Sequence, residues 1–266
     1  MRKIYKFHQF VKLDKGPVNT CITDLFKGDI YQVPNSLIHQ FEQRQYSRIP
    51  EFIDSLEKAQ LIIKVVENTW IPLIHNEDET LLEKTPLVLD LDEGVDIETV
   101  LNYFSSNEVE IIAIRVYCKN ITGNVEYEIQ GIPVMKVKKD FSQCKALSTI
   151  SGDFQHINEN EYYFNKRYNS CWGSKLAISK DYSVHPCIFS PLKLGNITEQ
   201  DQSSWADILK EANLYRHITK SEVVWCKDCE FKFVCFDCRE IARLEGGDLL
   251  AANPNCKYDP YEGSGF

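Results

Sequence analysis

No apolar run in these 266 residues is long enough to cross a bilayer; the longest, such as residues 111–114, fall far short of the roughly 20 that a membrane helix needs. The first ten residues carry positive charge but no continuous apolar core, so no secretion signal is expected. Basic charge is scarce. Thirty Lys and Arg against 39 Asp and Glu leave a net charge of −9, and without a basic stripe no nucleic-acid partner is expected. A Gly-rich phosphate loop, G-x-S-x-G and H-E-x-x-H are all missing, which leaves ATP use by this chain unsupported. Internal repeats, low-complexity segments and a Gly/Ser linker are missing too. These absences describe a soluble, cytoplasmic protein with no membrane partner.

What the chain has in excess is cysteine, ten in all and unevenly placed. Cys21, Cys118 and Cys144 are scattered over the first two thirds, while Cys171, Cys187, Cys226, Cys229, Cys235, Cys238 and Cys256 fill the last third. Without an export signal they read as thiols or metal ligands rather than disulfides. Four of them make C-x2-C-x5-C-x2-C over residues 226–238, with Phe231, Phe233, Val234 and Phe236 between. Thiolate is a soft ligand, and C-x2-C is the shortest common spacing that lets two sulfurs grip one metal centre. The stretch therefore predicts a metal site, with the three Phe as core or shielding residues. One tetrahedral zinc takes four thiolates, so seven late cysteines exceed one zinc and fall short of two. Two cubane clusters take up to eight, and one can keep an open iron. The count favours two [4Fe-4S] clusters, one of them incompletely ligated, with zinc as the alternative.

The order Cys171-x15-Cys187, then the 226–238 core, then Cys256 resembles the SPASM domain, the C-terminal auxiliary-cluster module of many radical S-adenosylmethionine enzymes that modify peptides. Cys226-Lys-Asp-Cys-Glu-Phe, Cys235-x-Asp-Cys-Arg and Pro254-x-Cys256-x-Tyr258-Asp259-Pro260 resemble, more narrowly, the SPASM-domain peptide maturases of grasp-with-SPASM systems. An early Gly followed by Asp24, Tyr31 and Val33-Pro34-Asn35 is similar to that family's opening. The resemblance is carried by residues 165–262, less by 1–45, and hardly by what lies between. It implies an accessory iron–sulfur protein in the maturation of a ribosomally synthesised, post-translationally modified peptide. The implied partners are the precursor peptide and an ATP-grasp ligase. By position it implies that Cys226, Cys229, Cys235 and Cys256 hold one cluster, and that Cys171, Cys187 and Cys238 hold the second. Cys238 would then turn away from its own motif.

Two departures stand out. Tyr182 takes the place of a Gly that the SPASM pattern puts at a φ > 0 turn. The C-x3-C-x2-C motif of a radical centre is missing, and Cys21, Cys118 and Cys144 are too far apart to make one. Radical catalysis is not expected. A redox-active peptide-modifying enzyme and a zinc-stabilised interaction module are the competing readings.

Patterning gives an α/β fold; with the resemblance it implies a degenerate, partial-barrel-like N-terminal domain over residues 1–155, followed by a small cysteine-rich SPASM domain over 156–266. Strands are predicted at 4–12, 20–25, 61–66 (buried), 87–91, 110–118, 124–129 and 134–137, the last two open to pairing as a hairpin around Gln130-Gly131. Helices are predicted from Pro34-Asn35-Ser36, over 50–59 and over 96–104, with some parallel strand pairing. Several residues admit a plainer reading. Cys21, Cys118 and Cys144 read as structural thiols, His185 as a loop histidine, and residues 75–79 as a solvated turn. Asp90, Asp92, Glu93 and Asp96 sit where α/β sites often lie, yet a helix N-terminus explains them as well.

Overall fold

Short runs of β-branched and aromatic residues build the N-terminal part of the computed structural model, which describes residues 3–67, 87–121, 125–142, 157–198, 203–236 and 238–265. The single strand expected over 4–12 is two, β1 (Lys3–Phe7) and β2 (Val11–Lys15). They part at a turn in which the Val11 amide donates to the His8 carbonyl at 3.1 Å, because each half pairs in a different sheet. β2, β3 (Asn19–Asp24) and β4 (Asp29–Pro34) form an antiparallel meander. α1 (Asn35–Glu42) and α2 (Pro50–Lys58) begin where the prolines predict. β5 (Ile62–Val66) pairs with β1. It is less buried than expected: Ile63 is 42% exposed, since a two-stranded sheet has one face to spare. Ile22, Ile38, Phe41, Ile53 and Leu56 fill the core here.

The central sheet follows. Its elements are β6 (Leu87–Asp92), α3 (Ile97–Ser106), β7 (Ile111–Cys118), β8 (Val125–Ile129), β9 (Ile132–Lys138), α4 (Glu159–Arg167), β10 (Lys175–Ile178), β11 (Ser183–His185), β12 (Gly195–Asn196), α5 (Trp205–Arg216) and α6 (Arg239–Gly246). The strand order is β12-β11-β10-β6-β7-β9-β8, with β10, β6, β7 and β9 parallel and the outer strands antiparallel. The parallel pairing expected of an α/β chain is therefore present. β8 and β9 form the hairpin around Gln130 and Gly131, whose φ values of 52° and 80° make the paired left-handed turn that matches strand twist. β10 follows residue 156 in the chain and still pairs with β6, so one sheet runs across the change in composition.

The two faces of this sheet differ. Leu87, Leu89, Leu91, Ile114, Val116, Val134, Leu176 and Ile178 cluster with Val100, Leu101 and Phe104 of α3 and Ile208 of α5. Strand alternation sends Asp90, Arg115, Tyr117 and Met135 to the opposite face. Among the described residues no helix is long and apolar enough to cross a membrane.

The N-terminal meander is tied to the cysteine-rich segment by buried polar contacts. The Tyr162 hydroxyl on α4 donates to Asp14 of β2, lying 2.9 and 3.1 Å from its two oxygens. Burial pushes the Asp14 carboxyl above its usual value; the Tyr162 bond and Lys232, Lys166 and Lys12 pull the other way without cancelling it. A folded-state value above the unfolded one means a contribution fully present below the ordinary carboxylate range and lost as pH rises through the raised value. Asp14→Asn should therefore gain stability relative to the natural chain between about pH 4 and pH 7. Urea midpoints across that range check this, and a pH-independent difference would sink it.

Candidate metal centre

The cysteine motif is shaped by two tight turns. The Cys226 amide donates to the Val224 carbonyl at 2.9 Å around Trp225, whose φ is 68°. This three-residue turn is a strained conformation for a non-glycine residue. A single 3₁₀ turn (Cys226–Asp228) follows, closed by the Cys229 amide on the Cys226 carbonyl at 3.0 Å. The Phe231 amide donates to Cys229 Sγ at 3.4 Å, and the Cys235 amide returns to the Phe231 carbonyl. C-x2-C is thus a knuckle with an N–H aimed at its second sulfur.

Cys229 and Cys235 are buried with Cys21, Phe231, Phe233 and Tyr258, and Cys256 packs against the same cluster. Burial pushes the Cys229 thiol well above the usual thiol range; the Phe231 amide opposes this, while Glu230, Cys235 and Cys226 add to it. Cys171 and Cys187 lie in a different cluster, with Trp172, Phe189, Leu192, Phe236 and Leu249. Cys238 is also buried, and its side chain hydrogen-bonds Cys171. That bond holds the Cys171 thiol below the usual range against burial, with Lys175 helping. Burial pushes Cys187 up to about 12. It also works against the Lys175 ammonium, but Cys171, Asp90 and Cys187 outweigh it and raise the lysine's value.

The seven late cysteines thus fall into two neighbourhoods. Cys229, Cys235 and Cys256 gather in one, with Cys226 near enough to influence Cys229; Cys171, Cys187 and Cys238 gather in the other. The phenylalanines divide with them: Phe231 and Phe233 line the first, Phe236 the second. The donor set suits a thiolate-bound metal, which would draw protons off these buried thiols as it entered. The side chains do not themselves close on one: among the described residues no three His, Cys, Asp or Glu side chains form a metal-holding group.

The plainer readings hold for several other residues. His185 is not on a loop but ends β11, where both ring nitrogens are engaged, with the Leu192 carbonyl at 2.8 Å and Ser179 Oγ at 3.0 Å. Asp96 caps α3 through the Thr99 amide. Cys118 is buried under the sheet, its thiol 3.7 Å from the Val116 carbonyl. Cys144 and residues 75–79 lie outside the described residues. Cys21 contacts Thr23 Oγ1 and, unlike Cys118, shares the apolar cluster of Cys229 and Cys235.

Three side chains beside the thiols were given no role by the sequence: Lys175, Arg115 and Glu230. Glu230 has no solvent exposure. Its Oε1 takes bonds from the Tyr258 hydroxyl and from Gln32 Nε2, and Gln32 lies on β4. A charge inside the apolar run Cys-Glu-Phe-Lys-Phe-Val was the only hint available in the sequence.

Tyr182 does adopt the left-handed backbone that the SPASM pattern reserves for Gly, with φ 59°. Asp181 supports the turn: its carboxylate accepts from Ser179 Oγ (2.5 Å) and Ser183 Oγ (2.8 Å), and those bonds lower its value to about 2. Asp181→Ala should cost about 1 kcal/mol, the worth of an exposed hydrogen-bonded turn. The loss should show as a lower urea midpoint above pH 4 and fade as pH falls toward 2, because a depressed carboxylate gives up its contribution there. An unchanged midpoint at pH 7 would remove the turn's role.

No protein-family model, no curated protein and no solved structure matches this chain.

Proposed function

We propose that this chain is an accessory iron–sulfur protein in the maturation of a ribosomally synthesised peptide, acting beside an ATP-grasp ligase. The observation that carries the reading is the departure of Cys238 from its own motif. Although three residues from Cys235, it hydrogen-bonds Cys171, more than sixty residues earlier in the chain. Two thiol neighbourhoods are what two clusters need, and a single four-thiolate zinc knuckle gives no reason for the split.

When bound, such clusters would supply electron storage or an open iron. The chain's own residues would do the rest. Lys175 sets positive charge beside the sulfurs of Cys171 and Cys187, and Trp172, Phe236 and Leu249 pack around them. Cys171, Cys187 and Cys238 number three, so that side is the one with a position left for a peptide group. The Phe231 amide on Cys229 Sγ suits a four-thiolate zinc site as well as a cluster, since both accept N–H bonds at sulfur.

Anaerobic purification followed by iron, sulfide and zinc analysis tests the proposal. Iron and sulfide in equal amounts are expected. Cys256→Ser and Cys187→Ser should each remove about half of the iron, and the pair nearly all. Zinc without sulfide would sink the iron–sulfur reading. Titration of the protein with the precursor peptide and with the ligase tests the accessory role, which fails if neither binds.

A further inference from the structure

The surface beside the first thiol neighbourhood keeps two aromatic rings in water. Trp225 is 49% exposed and Tyr261 is 53% exposed. Both are nevertheless held in place. Trp225 sits on the turn closed by the Cys226 amide on the Val224 carbonyl, and the Asp228 amide donates to the Trp225 carbonyl at 3.3 Å. The Tyr261 hydroxyl donates to Asp228 Oδ2 at 2.6 Å, and the Tyr261 amide donates to Asp259 Oδ1 at 2.8 Å. The two rings stand nearly perpendicular, at 81°, with their centres 5.9 Å apart.

Folding alone does not account for the indole. Its backbone is left-handed, at φ 68°, where glycine would fit without strain. Half of the side chain faces solvent, so little burial is gained in exchange. Val224 is exposed beside it, and so is Leu250, whose carbonyl accepts from the Val224 amide at 3.0 Å. Apolar side chains exposed together mark an interaction surface, and Trp, Tyr and Arg are the residue types that carry most of the energy of such contacts.

Charge selects the occupant. The faces of both rings carry the negative side of an aromatic quadrupole. Asp228 gives Oδ2 to Tyr261, and among the described residues nothing bonds its Oδ1. The hydrogen bond to Asp228 raises the Tyr261 hydroxyl above the usual phenol value, and the charges of Asp228 and Asp259 add to it, so both carboxylates are close. In the segments that build the patch, Glu222, Asp228, Asp259 and Glu262 outnumber Lys227 and Lys257, so the local field favours a cation. Nucleic acid and anionic lipid are repelled, and so is a second copy of a chain that carries −9. An ammonium satisfies the charge but has no plane to lay on a ring, whereas a guanidinium does both. We infer that Trp225, Tyr261 and Asp228 form a docking site for an arginine of a partner polypeptide. Its guanidinium lies on an aromatic ring with its charge toward Asp228, and an apolar neighbour in the same segment covers Val224 and Leu250. No metal takes part in the contact, so the metal content of the same sample, read separately, bears on the thiols alone.

Calorimetric titration of the full chain, as purified, with N-acetyl-Leu-Arg-Val-amide tests the site. Saturation in the low millimolar range is expected. Citrulline in place of the arginine keeps its shape and removes its charge, and that peptide should bind at least about tenfold more weakly. The lysine peptide should also be weaker, and the glutamate peptide should not saturate. Trp225→Gly should weaken the arginine peptide at least about tenfold at an unchanged melting temperature, because relief of the turn offsets the freedom of glycine. If that variant melts lower or does not fold, Asp228→Asn should show the same loss, since it keeps an acceptor for the Tyr261 hydroxyl and removes the charge. The site is overturned if the arginine peptide does not saturate, or if the citrulline or lysine peptide binds equally well. Binding that survives Trp225→Gly or Asp228→Asn overturns it too.

Discussion

A carboxylate with no solvent exposure, Glu230, holds the cysteine-rich segment to the rest of the chain. It sits between Cys229 and Phe231 and can stay buried only if donors come to it. Tyr258 supplies one from the C-terminal loop and Gln32 another from β4, and Gln32 also lies 2.6 Å from the Tyr258 hydroxyl. Gly16 presses against the second oxygen, where a Cβ would collide. The knuckle, the C-terminal loop carrying Cys256 and the meander must therefore be assembled together. The N-terminal sheet is a wall of the cysteine segment rather than an appendage to it.

Helical periodicity was enough to place α1, α2 and α3, because each buries one stripe and is started by Pro or by an Asp cap. The hairpin turn was legible in Gln130-Gly131. What local pattern does not carry is partner choice. Residues 4–12 look uniform, yet their halves join different sheets; Ile62–Val66 looks like core, yet pairs with a single strand. The return of β10 to β6 is a contact between segments almost ninety residues apart, beyond any local period. At the site, thiol spacing announced the ligand chemistry. Lys175 and Arg115, both half-buried, were silent, and Glu230 nearly so, since an isolated charged residue reads as surface until its neighbours are known.

Parallel strands are ordinarily apolar on both faces because helices cover both. β6 breaks that pattern in its own letters, Leu-Val-Leu-Asp-Leu-Asp, with leucines toward α3 and α5 and carboxylates away from them. The charged face is matched across strands: Asp90 with Arg115, Asp92 with Lys139. Such pairing is a poor way to gain stability and a sound way to hold polar groups in fixed directions. The sheet thus divides its labour, one face apolar and closed by helices, the other holding paired charges.

Each thiol neighbourhood also has a tryptophan next to it in the chain, and the two indoles differ. Trp172 follows Cys171 and is fully buried, its Nε1 without a hydrogen-bond partner; Trp225 precedes Cys226 and is 49% exposed on its strained turn. A buried, unbonded indole emits toward the blue and a half-exposed one toward the red. Two of the chain's four tryptophans therefore stand as optical reporters, one beside each set of thiols. With Trp70 and Trp205 replaced by Phe, events at one set can be followed in solution without attaching a label and told apart from events at the other.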